Sequence, residues 1–174
     1  MANLKVVRVL QGDTRVSTQP EEVMSTILGS CVATCIWDPV AGVGGLNHFL
    51  LPGDKNNQSK SLSYGVNAME LLINGLLKHG ADRSRLQVKL FGGAQMLENA
   101  TDIGEKNIRF AQWYAENENL PIVSQCLGGQ QGRKIRFWPV TGRVQRCFIA
   151  GKQPEEPVLR STQKLDASGE VDLF

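Results

Sequence analysis

Cys31 and His48 are the residues of this chain best suited to covalent chemistry. A thiol is only a few per cent ionised at neutral pH, so a nucleophilic cysteine benefits from an adjacent base such as an imidazole. The two residues flank Asp38-Pro39-Val40-Ala41, which suits a type I turn with Asp first and Pro second. A two-residue loop there sets Cys31 directly opposite His48, with Cβ atoms about 5 Å apart. A four-residue loop that takes in Gly42 moves the register by two residues and keeps both side chains on one face. An odd-length loop puts them on opposite faces. Ahead of the cysteine, Gly29-Ser30 permits a tight bend, so backbone N–H groups of Ser30 and Cys31 could bind a developing oxyanion. Ser25 and Thr26 approach that bend and offer hydroxyls to orient the imidazole.

Other reactive side chains have plainer readings. Residue type alone favours a core role for a cysteine in an apolar strand, but the shared hairpin face and the Gly-Ser entry single out Cys31. Cys35 shares that strand face and reads as packing. His79, next to Gly80, suits the negative end of a helix dipole. The four cysteines, Cys31, Cys35, Cys126 and Cys147, lack the second paired motif of a zinc site. No metal and no organic cofactor is expected. Gly92-Gly93 and Gly128-Gly129 lie at strand ends, where a backbone approaches another chain or a ligand, and neither run matches a nucleotide fingerprint. Arg133, Lys134 and Arg136 read as edge-strand charge.

The elements that must position these groups follow from periodicity and breakers. Strands are predicted at Leu4 to Leu10, from Glu21 to Thr26 leading into the Cys31 strand, and from Gly44 to Leu51. After the polar loop Gly53 to Ser61, helical spacing of Val66, Met69, Leu72, Leu76 and Leu77 predicts a helix from Tyr64 to Lys78, stopped by Gly80. A second helix is predicted from Ile103 to Asn117, with Asp102 as N-cap and Glu105 three residues on. Further strands are Leu86 to Phe91 and Pro121 to Leu127, then a hairpin of Arg133 to Trp138 and Arg143 to Ala150. Two helices among at least seven strands make an α+β layered domain over residues 1–150, and residues 151–174 read as a polar C-terminal tail with no packing role.

Composition narrows the class. With 174 residues the chain can bury a substantial core, and 41% hydrophobic with 21% charged residues is an ordinary globular balance. A net charge of +2 without a basic run argues against a nucleic-acid partner. No apolar stretch reaches transmembrane length and no signal-peptide core opens the chain, so a cytoplasmic protein that is not membrane-inserted is expected.

The chain resembles the bacterial chemotaxis family CheD, the chemoreceptor glutamine deamidases. The resemblance spans about Leu4 to Ala150. It rests on Leu28-Gly29-Ser30-Cys31-Val32-Ala33, Asn47-His48-Phe49-Leu50-Leu51-Pro52, Phe91-Gly92-Gly93-Ala94-Gln95-Met96 and Gly128-Gly129-Gln130-Gln131-Gly132-Arg133-Lys134-Ile135. It implies a cysteine hydrolase on a layered α/β/β/α sandwich with mixed sheets, similar to toxin-type cysteine deamidases. Cys31 would be the nucleophile and His48 the base. The family's third residue is a threonine six positions before the cysteine, where this chain has Ser25, with Thr26 adjacent. Ser25 is therefore expected to orient the imidazole, with Thr26 secondary. Asn47, Gly92 and Gly93 are expected to line the substrate site. Where the family often has an acidic residue, two places before the second glycine run, this chain has Cys126. The implied substrates are glutamines in the cytoplasmic helical region of methyl-accepting chemotaxis receptors, with glutamate methyl esters as a side substrate. The implied regulatory partner is a CheC-type chemotaxis phosphatase.

Overall fold

A computed structural model describes residues 3–53, 56–97, 102–150 and 171–174. In chain order the strands are β1 (Lys5–Arg8), β2 (Thr14–Ser17), β3 (Glu22–Leu28), β4 (Val32–Asp38) and β5 (Val43–Phe49). Helix α1 (Gln58–Lys78), a short 3-10 turn (Arg83–Arg85), β6 (Gln87–Gly92) and α2 (Ile103–Asn117) follow. Strands β7 (Ile122–Leu127), β8 (Arg133–Phe137), β9 (Val144–Phe148) and β10 (Val171–Leu173) complete the described chain.

Two mixed five-stranded sheets form, ordered β1-β3-β8-β9-β10 and β2-β5-β4-β6-β7. Met24, Leu28, Ile135, Phe137 and Val144 of the first sheet meet Ala33, Cys35, Trp37, Leu46 and Phe91 of the second in one apolar layer. The opposite face of the second sheet, including Val32, Ile36, Val43, Phe49, Val88 and Leu90, packs on Met69, Leu72, Ile73 and Leu76 of α1 and Ile108, Phe110 and Ala111 of α2. The α+β class and the stacked mixed sheets match expectation. The layer order differs. Both helices cover the second sheet, and among the described residues no helix covers the first, so the described layers run β/β/α where α/β/β/α was expected. The reason is that both apolar helix stripes are matched to the same sheet face.

Helix α1 begins six residues before the predicted Tyr64. Its first turn is exposed and so carries no apolar period; instead Asn57 caps it, the side chain accepting from Lys60 N–H. At its other end Gly80, with φ of +95°, sits in a Schellman motif: Gly80 N–H donates to Leu77 O and Ala81 N–H to Leu76 O. Helix α2 has the predicted bounds, although Asp102 makes no side-chain capping bond.

Two strands escape the sequence pattern. Strand β2 is a four-residue edge strand. Strand β10 lies within the expected tail and corrects it: Val171–Leu173 pair antiparallel with β9, and the Phe174 ring stands edge-on to Phe91 with centroids 5.6 Å apart. Three residues give no usable periodicity, and only the pairing partner makes them a strand. The rest of the expected tail, 151–170, lies outside the described residues. Among the described residues no helix is long and apolar enough to cross a membrane.

Candidate active site

The β4–β5 hairpin takes the four-residue loop. Asp38 pairs with Val43 and Ala33 with His48, so Cys31 lies two residues along from the position opposite His48, on the same face. Asp38 holds the loop through its carboxylate, which accepts from Val40 and Ala41 N–H and from Arg85. Burial pushes the Asp38 pKa up, but the Arg85 guanidinium and backbone N–H donors outweigh it and hold the group well below the usual carboxylate range.

Cys31 stands where the chain changes sheets. Strand β3 ends at Leu28 in the first sheet and β4 starts at Val32 in the second, so Gly29-Ser30-Cys31 is the crossover. Three successive carbonyls of this bend are held. Ala94 N–H donates to Gly29 O, Asn107 Nδ2 to Ser30 O and Gly93 N–H to Cys31 O, each at 2.8 Å. Fixing the carbonyls fixes the peptide planes, and with them the directions of the Ser30 and Cys31 N–H groups. The thiol is half-buried at the mouth of the inter-sheet layer.

Two buried groups lie on the neighbouring strands, His48 (1% exposed) on β5 and Thr26 (3% exposed) on β3, with Thr26 Oγ1 2.8 Å from His48 Nδ1. This corrects the expected ranking of the two hydroxyls. Ser25 points to the other side of β3 and donates its hydroxyl to Ile135 O at 3.2 Å. Alternation along a strand allows only one of two neighbours to face the imidazole, and that neighbour is Thr26.

Of the residues expected to line the substrate site, Asn47 faces the helices, and Gly92 and Gly93 back the crossover that carries Cys31. Asn47 is buried on the helix side of β5, opposite to Cys31; its Oδ1 accepts from Thr34 N–H and its Nδ2 donates to Ala68 O on α1. It fastens the helix to the sheet. Gly92 and Gly93 are buried supports of the crossover. A Cβ on Gly92, whose φ is +115°, would stand 2.1 Å from Cys31 O, so only glycine lets β6 pass so close. The second glycine run supports the first, with Gly128 N–H donating to Gly92 O and Gln95 N–H to Gly129 O. Arg133 is buried rather than solvated: it binds Cys126 Sγ at 3.1 Å and the Gly128 carbonyl, tying down that run.

Two contributors were missed in the sequence. Asn107 is fully buried and bridges the two halves of the site: its Nδ2 holds Ser30 O while its Oδ1 accepts from Leu51 N–H, just beyond the His48 strand. An asparagine on the buried face of an amphipathic helix is a readable signal of such a bridge. Gln11 accepts from Cys31 Sγ at 3.2 Å, and nothing local to Gln11-Gly12 announces it. Cys35 is fully buried, and burial pushes its thiol pKa up, with Lys89 opposing weakly. Among the described residues no group of three metal-ligating side chains forms.

The arrangement is a half-buried thiol at the bend between the sheets, a buried imidazole on the same face of the β4–β5 hairpin and a hydroxyl on the imidazole Nδ1. A family model described as CheD chemotactic sensory transduction matches residues 50–146. The probable chemoreceptor glutamine deamidase CheD of Acidiphilium cryptum (strain JF-5) is 50% identical over 97% of this chain and 93% of its own length. The protein of the same name from Agrobacterium fabrum (strain C58 / ATCC 33970) is 48% identical over 99% and 98%. That from Caulobacter vibrioides (strain NA1000 / CB15N) is 47% identical over 97% and 92%. With matches of this extent, the chain belongs to the CheD family.

Proposed function

We propose that this protein is a cysteine hydrolase that converts glutamine side chains of chemoreceptors to glutamate. The Thr26–His48 contact, with His48 on the hairpin face it shares with Cys31, carries this reading: a hydroxyl on Nδ1 leaves Nε2 for the work of a base. The names of the relatives supply the substrate class.

With the imidazole proton on Nδ1, held toward Thr26 Oγ1, Nε2 presents its lone pair. It takes the Cys31 proton, and the thiolate attacks the glutamine side-chain carbon. A C–S bond forms and the carbonyl π pair moves to oxygen, where the Ser30 and Cys31 N–H groups stabilise it. The imidazolium gives its proton to the amine nitrogen; the C–N bond breaks, and ammonia leaves a thioester. His48 then deprotonates water, hydroxide attacks the thioester, and the thiolate departs from glutamate. Removing the base should cost roughly 10²–10⁴ in rate.

The test is peptide mapping of a cognate receptor's cytoplasmic helical region after incubation with the purified protein. Conversion at defined glutamines, with the mass gain of replacing –NH2 by –OH and matching ammonia release, is expected. Cys31→Ala should abolish both. Unmodified receptor glutamines with folded wild-type protein would overturn the reading and leave a non-catalytic regulator in its place.

A further inference from the structure

Leu10-Gln11-Gly12-Asp13 joins β1 to β2 as a tight turn, closed by Asp13 N–H donating to Leu10 O at 2.9 Å. Gly12, with φ of +90°, fills the third position of a type II turn, which makes Gln11 the second. The turn is fastened to the strand that carries the imidazole: Gly12 N–H donates to His48 O at 2.7 Å, and His48 N–H donates to Asp13 O at 3.1 Å. Gln11 is itself exposed, so packing does not place its carboxamide. The turn does. In that frame Gln11 Oε1 accepts from Cys31 Sγ at 3.2 Å.

We propose that Gln11 is a further catalytic residue, whose carboxamide donates Nε2–H to the ionised sulfur and then to the oxyanion of the tetrahedral intermediate. This rests on the cysteine hydrolase reading. A carboxamide carries an acceptor at one end and donors at the other. The neutral thiol offers a proton, and Oε1 accepts it. Ionisation removes that proton, and a half-turn about Cγ–Cδ replaces the acceptor by a donor. When the C–S bond forms, the negative charge moves to an oxygen one bond from the carbon that sulfur has just joined. A donor already bonded to the sulfur lies within reach of that oxygen. The two backbone N–H groups of the crossover are rigid, whereas the Gln11 side chain can follow the charge from sulfur to oxygen.

The experiment uses the full chain and two readouts. Iodoacetamide alkylation of Cys31 as a function of pH requires no receptor; kcat and KM on a receptor fragment form the second readout. Gln11→Ala should move the alkylation curve to higher pH and lower kcat about 10²-fold, the low end for a lost oxyanion donor, with little change in KM. Gln11→Glu, which keeps the shape but replaces the donor by a negative charge, should shift the curve further. Thermal melting of both variants should match wild type. An unmoved alkylation curve would overturn the proposal, as would an unchanged kcat. A raised kcat would also overturn it, showing that the carboxamide blocks the substrate instead. If the curve shifts while wild type releases no ammonia from any receptor fragment, the donor to sulfur stands, but the hydrolase reading and the oxyanion step fall.

Discussion

A neutral imidazole acts as a base at one nitrogen only, and the partner of the other nitrogen decides which. Thr26 Oγ1 lies at Nδ1, so its removal frees the ring to rotate and to change tautomer. Thr26→Val should lower kcat at least about tenfold, equal to about 1.4 kcal/mol of transition-state stabilisation. Thr26→Ser should recover most of it. Ser25→Ala loses only a bond to Ile135 O and should leave kcat within about twofold, a change of a few tenths of a kcal/mol. Equal losses in Ser25→Ala and Thr26→Val would overturn the assignment. The thiols should separate as cleanly. A limiting dose of iodoacetamide should label Cys31 ahead of Cys35, because Cys35 is fully buried and burial raises its pKa. Mass mapping of the labelled peptides checks the order.

At the scale of elements, the site depends on β6 and α2 gripping the crossover between β3 and β4. Gly92→Ala adds a Cβ against Cys31 O and forces a side chain onto a positive φ. Backbone strain alone should cost about 1–3 kcal/mol, read by urea unfolding. Asn107→Ala leaves the Ser30 carbonyl and the Leu51 N–H without their side-chain partner. Both groups are partly buried, so each should cost about 1 kcal/mol, the low end for an orphaned group, and kcat should fall as the crossover loosens. A variant with wild-type stability and kcat would show that Asn107 does not hold the bend.

Across the whole molecule, the described end of the chain closes the first sheet. Val144 and Phe174 exchange two backbone hydrogen bonds, and Asp172 pairs with Arg146. Removing Val171–Phe174 should cost about 2 kcal/mol and lower Tm by roughly 4–8 °C. An unchanged Tm would return these residues to a dispensable tail. Acid stability follows from Asp38. Its folded pKa lies below its unfolded value, so its stabilising contribution is complete at neutral pH and fades as pH falls below about 4. Asp38→Asn should therefore lose stability at pH 7 and show a shallower decline in acid, measured by urea midpoints across pH.

Local chemistry and hydrophobic period were readable along the chain. The α2 bounds, the Schellman stop of α1 and the shared face of Cys31 and His48 were all legible. The last holds because every even-length loop preserves strand parity, whatever its register. Ser25 against Thr26 was not legible: Val23, Met24 and Ser25 to Leu28 are apolar or small on both phases, and with side chains of both phases buried the period-2 signal vanishes. Packing of the two sheets sets which phase turns toward the second sheet, and so which hydroxyl meets the imidazole. Tertiary packing also sets the long-range donors. Gln11, Gly93 and Ala94 reach the crossover from other elements, and a hydrogen bond between distant segments leaves no mark on the spacing of either one; Asn107 shows as a polar residue on an apolar stripe, but not which bend it holds.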